Sequence, residues 1–183
     1  MRTILVCPSN LSEGYNTYSP AAVKKLFDGK QVSHIFPTDS PLSNKPEAKA
    51  VFKNVGRISL SGVQTKLGVV IDNGHFRFSA EGEKSSFMLK PHPTSPILYS
   101  KEDCPANENL TMQIAEQVYH IETAANALCF FEDDECAYVT RRFDITTQGI
   151  KYSQEDFASL MGLTKANGGS DYKYSNGSYE DCA

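Results

Sequence analysis

The chain has 183 residues, 40% hydrophobic and 22% charged, which is enough to bury the core of one or two globular domains. Its net charge of −4 argues against nucleic acid as a direct ligand, because phosphate backbones bind basic surfaces. No apolar run approaches the roughly 20 residues of a membrane span. The five cysteines form no Cys-x-x-Cys pair, so we expect reduced thiols in a cytoplasmic protein and no metal site.

The N-terminal part of the chain is expected to contain one strand and one helix. Residues 2–6 (RTILV) form a short apolar run, which predicts the strand. Ser19 and Pro20 predict the start of the helix, since serine caps free N–H groups and proline suits the first helical position. The helix should end at Asp28, before a glycine. The Pro/Ser/Asn-rich residues 37–47 then predict a surface connection.

Three strands joined by tight turns are predicted in the middle of the chain. Residues 66–72 are β-branched and apolar, and Asn73-Gly74 suits the positive φ angles of a tight hairpin. Residues 75–78 alternate between polar and apolar, as expected for a half-buried return strand. Residues 86–90 form the third strand, which we expect the following prolines to end.

A helix over residues 108–120 is predicted next, with Asn107 as its N-cap. Its predicted inward stripe consists of Leu110, Ile114, Ala115 and Val118. Residues 127–131 and 136–142 follow as a second hairpin across an acidic turn. The five strands and their flanking helix predict an α+β fold with an antiparallel sheet.

One more helix is predicted over residues 153–162. Ser153 would be its N-cap, with Asp156 completing a pair similar to a capping box. The predicted buried face consists of Phe157, Leu160 and Met161. The Gly/Ser/Asn-rich tail beyond it ends in SYEDCA, which has the composition of a helix start, and we therefore expect a truncated chain.

The order of these elements, three strands, a helix and two strands, is the layout of a protein-kinase N-lobe. Residues 58–67 (ISLSGVQTKL) supply a small-residue turn whose N–H groups could approach nucleotide phosphates. Lys90 ends the third strand, where a kinase places its phosphate-binding lysine, and Glu108 lies in the next helix, where a kinase places the paired carboxylate. Each feature alone is common, and their order along the chain is what favours a nucleotide site.

The sequence resembles the HipA-like kinases, and within them the shorter HipT-like toxins. The resemblance covers about two-thirds of the chain, from residue 58 to the end. The stretches that carry it are SLSGVQTKL (59–67), FMLKPHP (87–93), NENLTMQIA (107–115), TRRFDI (140–145), KYSQEDFASLMG (151–162) and KYSNGSYED (173–181). It implies an ATP-binding fragment of a serine/threonine kinase.

The resemblance implies a phosphate loop, an ion pair and a hinge that contacts adenine. These are Ser61, Gly62 and Val63 in the loop, Lys90 with Glu108 in the pair, and the backbone of Arg141 and Phe143 in the hinge. In HipT-like toxins the loop serines are autophosphorylated, which implies Ser59 and Ser61 here. A phosphate there would add up to about two negative charges and oppose ATP binding.

The resemblance also implies partners and missing parts. The intact protein would phosphorylate a translation protein such as an aminoacyl-tRNA synthetase, and a helix-turn-helix antitoxin would restrain it. No counterpart of the catalytic aspartate loop is present, so no catalytic residue is assigned in this chain and the Mg²⁺ ligands are expected outside it. Asp171 and Asn176 have the spacing of a catalytic loop, but they follow the last predicted helix too closely for a C-lobe to intervene.

Three segments are predicted: residues 1–55 as an N-terminal cap, residues 56–147 as an N-lobe that binds ATP, and residues 148–183 as the start of a truncated helical C-lobe. Two alternatives stay open. The chain could be a non-catalytic N-lobe-like module that binds or regulates a partner, or an unrelated α+β binding domain whose motifs coincide. A reading frame that continues into a catalytic loop would distinguish the kinase from both.

Overall fold

The computed structural model describes residues 4–46, 64–95, 98–146 and 148–168, together with Tyr172, Ser178 and Glu180. The chain divides into two compact units, Met1–Phe143 and Asp144–Ala183, and each is described by itself. Among the described residues, the first unit holds the sheet and two longer helices, and the second holds two helices of four residues.

The described helices and strands of the first unit are α1 (Pro20–Phe27), β1 (Ile35–Phe36), β2 (Leu67–Asp72), β3 (His75–Phe78), β4 (Phe87–Pro91), α2 (Cys104–Gln117), β5 (Asn126–Phe131) and β6 (Cys136–Arg141). The strands form one sheet in the order β1-β5-β6-β4-β2-β3. Every neighbouring pair is antiparallel except β1 and β5. The α+β class and the five predicted antiparallel strands are therefore confirmed.

The prediction of a wholly antiparallel sheet was wrong, because the N-terminal segment adds β1 parallel to β5. The N–H of Phe130 donates to the carbonyl of His34 at 2.9 Å, and the N–H of Glu132 donates to Thr38 at 3.0 Å. A strand of two residues is too short to show a periodic pattern in sequence. Such a strand is recognisable only from its partner in the fold.

The two outer strands of the sheet approach each other, so that the sheet is nearly closed into a barrel. The N–H of Ser33, just before β1, donates to the carbonyl of Gly74 in the β2–β3 turn at 2.8 Å. The rings of Phe36 and Phe78 lie 4.6 Å apart between centroids. The core fills the space inside this curved sheet, where α1 inserts Phe27 against two strand phenylalanines.

Helix α1 forms as the sequence predicts. The Ser19 hydroxyl accepts a hydrogen bond from the N–H of Ala22 at 3.3 Å, and Pro20 opens the helix. Asp28 ends it in the left-handed region at φ 53°, which aspartate tolerates better than most residues. One side of the helix, including Leu26, is buried against the sheet.

The strand predicted over residues 2–6 was wrong for its described part. Residues 4–6 make one isolated bridge, between Val6 and Glu13, and residues 1–3 lie outside the described part of the chain. The N–H of Cys7 donates to the carbonyl of Ser12, which folds the segment back on itself after a few residues. Leu5 is 78% exposed, so this apolar run does not supply the core.

Helix α2 begins earlier than the sequence predicts and turns a different face inward. It starts at Cys104 after a 3₁₀ turn over Lys101–Asp103, so Asn107 is inside the helix instead of at its cap. Of the predicted inward residues, Ala115 is half-buried and Leu110, Ile114 and Val118 are exposed. The buried side chains include Asn109 and Gln113, because the sheet surface beneath α2 presents the polar Asn126.

The second unit contains α3 (Phe157–Leu160) and α4 (Lys165–Gly168). The carboxylate of Asp156 caps α3 by accepting the N–H of Ser159 at 2.8 Å, so the helix begins four residues after the predicted cap, Ser153. The predicted buried face was wrong: Phe157 and Leu160 are exposed, and Ala158 is buried. Within the described ranges of both units, no helix has the length and apolar character needed to cross a membrane.

Candidate functional site

An ion pair between β4 and α2 lies at the centre of the candidate site. Strand β4 alternates: Phe87, Leu89 and Pro91 are buried, and Lys90 lies on the opposite face, towards α2. The Lys90 Nζ lies 2.5 Å from Oε1 of Glu108, which is in the second turn of the helix. The two side chains are 18% and 24% exposed, so the pair is shielded from water and still reachable by a ligand.

Tyr138 supports the lysine from the neighbouring strand. It is the cross-strand partner of Lys90 in the β4–β6 ladder, and its ring centroid lies 5.3 Å from the Lys90 Nζ. An ammonium over an aromatic face is attracted by the ring's quadrupole. Burial raises the pKa of Tyr138, and the charge of Glu108 raises it further, so the phenol stays neutral. The lysine is therefore held by both a carboxylate and a ring.

A second cation, Lys66, is influenced by the charges of both Lys90 and Glu108, and it was not among the predicted site residues. Burial lowers the pKa of Lys66, the charge of Lys90 lowers it further, and Glu108 raises it. Its Nζ donates to the carbonyl of Gln64 at 3.2 Å. Two ammonium groups near one carboxylate leave a net positive charge, which favours an anionic ligand. The signal in the sequence that could have identified Lys66 is its position three residues after Val63, the last residue of the predicted phosphate loop.

The first described residue after the predicted phosphate loop contacts the strand that carries Lys90. Ser59, Ser61, Gly62 and Val63 lie outside the described residues. The chain is described again from Gln64, whose Nε2 donates to the carbonyl of Pro91 at 2.9 Å, next to Lys90. The structure therefore brings the residue after the loop to Pro91, the neighbour of Lys90 in β4.

The predicted hinge lies further along the same two strands. Arg141 is opposite Phe87, three positions from the Lys90–Tyr138 pair, which corresponds to about 10 Å along a strand. Its N–H donates to the carbonyl of Ala125 at 2.8 Å. Phe143 follows, and 77% of its surface is exposed. A role for this segment in adenine binding stays a prediction.

The described residues contain no group of three or more His, Cys, Asp or Glu side chains placed to hold a metal ion. The expectation that Mg²⁺ would bind residues outside this chain stays a prediction. Cys7 and Cys129 are buried free thiols, and Cys104 and Cys136 are partly exposed ones.

Comparison with known proteins identifies one family. The family model of the HipA-like C-terminal domain matches residues 58–183, a range that starts with the small-residue turn of residues 58–67 and includes Lys90, Glu108 and the predicted hinge. A search of curated proteins finds no match to this chain. Since the matched range is more than half of the sequence, the chain belongs to the HipA-like C-terminal domain family.

Proposed function

We propose that this chain binds ATP and forms the nucleotide-binding part of a serine/threonine kinase toxin of a toxin–antitoxin system. The observation that carries the proposal is the 2.5 Å ion pair between Lys90 and Glu108. Lys90 lies on the strand that Gln64, the first described residue after the predicted phosphate loop, contacts at Pro91. Membership of the HipA-like family supports it, because such proteins are usually toxin–antitoxin kinases.

The chemistry of the site suits a polyphosphate. A lysine that already has a carboxylate partner is ordered before the ligand arrives, so its side-chain entropy is not lost again on binding. Lys66 adds a second ammonium whose charge is disfavoured by burial and by Lys90, and a bound phosphate group would stabilise that charge. The kinase-like order of strands and helix would place the adenine at the hinge, near Phe143.

The wider biological role belongs to the same proposal. The intact protein would act in the cytoplasm on a translation protein, for instance an aminoacyl-tRNA synthetase, and a helix-turn-helix antitoxin would restrain it. Mg²⁺ would accompany the nucleotide and use ligands outside this chain. Phosphorylation of Ser59 or Ser61 would put negative charge beside the nucleotide phosphates and switch binding off.

The test is direct titration of the 183-residue protein with a fluorescent ATP analogue. We expect weak binding, with a dissociation constant of about 0.1–1 mM, because Lys90 and the predicted hinge lie on neighbouring strands and would contact the nucleotide from one side. Lys90→Met should weaken binding about tenfold, which corresponds to about 1.4 kcal/mol. Lys24→Met, which removes an exposed lysine of α1, is the matched control and should bind like the wild type.

Two results would count against the proposal. Equal affinity of the wild type and Lys90→Met would show that the ion pair is not a phosphate site. Absence of any saturable nucleotide binding would favour the alternative of a non-catalytic module that binds or regulates a partner protein.

A further inference from the structure

Helix α2 buries amides and exposes aliphatic side chains. Asn109, Gln113 and Gln117 recur every four residues and face the sheet and the N-terminal segment. The aliphatic residues Leu110, Ile114 and Val118 recur at the same spacing one position later, and all three are exposed. If burial of apolar surface alone decided the orientation of α2, the helix would be rotated about its axis by about 100° from its observed position, and the aliphatic stripe would be buried.

The buried amides form a small network that opposes such a rotation. The Asn109 Nδ2 donates to Oδ1 of Asn126 at 2.9 Å and to the carbonyl of Ser9 at 3.1 Å. The Gln113 Nε2 donates to the same Asn126 oxygen at 3.3 Å. The Ser9 hydroxyl in turn donates to the carbonyl of Asn126 at 2.7 Å. These four residues, termed the amide network, are all buried.

The N-terminal segment supplies further partners for the same side of α2. The Gln117 Nε2 donates to the carbonyl of Asn10 at 2.9 Å. Lys25 of α1 makes an ion pair with Glu116. These contacts are more exposed than the amide network, and they hold the C-terminal half of α2 against the segment that contains α1.

Glu108 precedes Asn109 by one residue, so its direction is set by the rotational position of α2. If the aliphatic stripe turned inward, Glu108 would swing by about 100° around the helix axis and leave Lys90. The carboxamide of Asn126 and the carbonyl of Ser9 would then be buried without these partners. Two rotational positions therefore compete, one favoured by apolar burial and the other by hydrogen bonding.

We propose that Asn109, through Asn126 and Ser9, is the positioning residue that aims Glu108 at Lys90. The N-terminal segment thereby acts as a built-in support of the nucleotide site, in addition to extending the sheet. This inference rests on the proposed function for its consequence, which is control of nucleotide affinity. Its structural content, the dependence of one ion pair on a neighbouring amide, can be tested without nucleotide.

The test measures the Lys90–Glu108 coupling by a double-mutant cycle in urea, with Lys90→Met, Glu108→Gln and the double variant. In the wild-type background, the unfolding equilibrium constant of the double variant should differ about threefold to tenfold from the value expected if the effects of the two single substitutions were additive. In an Asn109→Leu background the coupling should disappear. A general loss of stability would lower every member of the cycle and leave the coupling unchanged, so the coupling separates positioning from a merely structural role.

Asn107→Leu is the matched control, because it makes the same substitution on an exposed side chain of the same helix. It should retain the full coupling. Persistence of the coupling in Asn109→Leu would overturn the inference, and so would its loss in Asn107→Leu.

A milder pair of substitutions covers the case in which Asn109→Leu does not fold. Lys25→Met with Gln117→Met removes the more exposed tethers of α2 and should reduce the coupling. An unchanged coupling in that variant would also contradict the inference.

Titration with the ATP analogue in parallel distinguishes the two proposals. If Asn109→Leu abolishes the coupling and weakens nucleotide binding as much as Glu108→Gln does, both proposals stand. If the wild type binds no nucleotide while the coupling still depends on Asn109, the proposed function fails and the positioning role remains.

Discussion

Arg141 and Asp28 form two parallel hydrogen bonds, of 2.7 Å and 2.8 Å, that join the last residue of β6 to the residue at which α1 ends. The hydrogen bonds from Arg141 lower the pKa of Asp28 below the ordinary value of a carboxyl group. Such a group stabilises the fold above its ordinary pKa, and the contribution is lost as the pH falls through the lowered pKa. The predicted hinge is thus tied to the N-terminal helix.

The first prediction is that Asp28→Asn lowers the free energy of unfolding near neutral pH, because it removes the ion pair with Arg141. The loss should be only about 0.5–1 kcal/mol, since water screens the largely exposed Asp28 side chain. Asparagine tolerates the left-handed φ of this position, so the substitution tests the charge and not the backbone. The difference from the wild type should vanish once the pH is below the lowered pKa. Urea unfolding across an acidic pH series measures it.

Arg141→Lys is the companion variant. It keeps the positive charge and removes the bidentate geometry, so its stability should lie between those of the wild type and Asp28→Asn. A difference between wild type and Asp28→Asn that grows on acidification would contradict the assignment.

The second prediction concerns Gly68 in β2. A Cβ at this position would lie 2.2 Å from Oγ of Ser79 and 3.0 Å from Cβ of Ser85, and both serines are buried. Gly68→Ala should therefore lower the free energy of unfolding by about 1–3 kcal/mol. Adding Ser79→Ala removes the nearest atom and should recover part of the loss. If the effects of Gly68→Ala and Ser79→Ala on the free energy of unfolding, measured by chemical denaturation, were simply additive, the two residues would not be in contact.

The third prediction is that Lys66→Met separates stability from ligand affinity. Burial and Lys90 both disfavour the charge on Lys66, so removing that charge should raise the free energy of unfolding by up to about 1 kcal/mol. The same variant should bind the ATP analogue about threefold to tenfold more weakly, because a counter-charge for phosphate is lost. Thermal unfolding and the nucleotide titration measure the two effects.

The pH dependence gives Lys66 a further signature. Its pKa is lowered in the free protein, and a bound phosphate would raise it. Affinity should therefore fall as the pH rises through the lowered pKa, and binding in that range should take up a proton. Calorimetry in buffers of different ionisation enthalpy would detect the uptake. Proton release would contradict the role of Lys66.

The fourth prediction is that the 183-residue protein transfers no phosphate. Phosphoryl transfer depends on a positioned base and on metal-bound carboxylates, and the sequence has no counterpart of the catalytic aspartate loop. Incubation of phosphate-free protein with labelled ATP and Mg²⁺ should leave Ser59 and Ser61 unlabelled. Label that disappears in Lys90→Ala would contradict this prediction and make Asp171, which lies outside the described residues, a candidate base.

Local chemistry made much of the fold predictable. Asn73 and Gly74 adopt φ angles of 48° and 76°, the positive values that the hairpin prediction required. The cap at Ser19 likewise depends on atoms within three residues. For the site, the order of strand and helix was enough to bring Lys90 and Glu108 together, because both are fixed by adjacent elements. Their role in binding nucleotide stays a prediction.

What could not be predicted depends on distant partners. Nothing near Ile35 or Phe36 in sequence shows that β5 will lie beside them. The buried face of α2 was predicted wrongly. Prediction from apolar periodicity presumes that the surface beneath the helix is apolar, and Asn126 makes that surface polar. Lys66 was overlooked because its environment depends on Lys90 and Glu108, which are remote from it in the chain.

The near-closure of the sheet also bears on how this unit behaves at high concentration. An open sheet edge offers unpaired N–H and C=O groups to which strands of other molecules can add. Here one outer strand, β1, has only two residues, and the segment leading into it bonds to the β2–β3 turn through Ser33 and Gly74. Within the described residues, the two edges of the sheet therefore cover each other, and strands of other molecules have less access to the free N–H and C=O groups there.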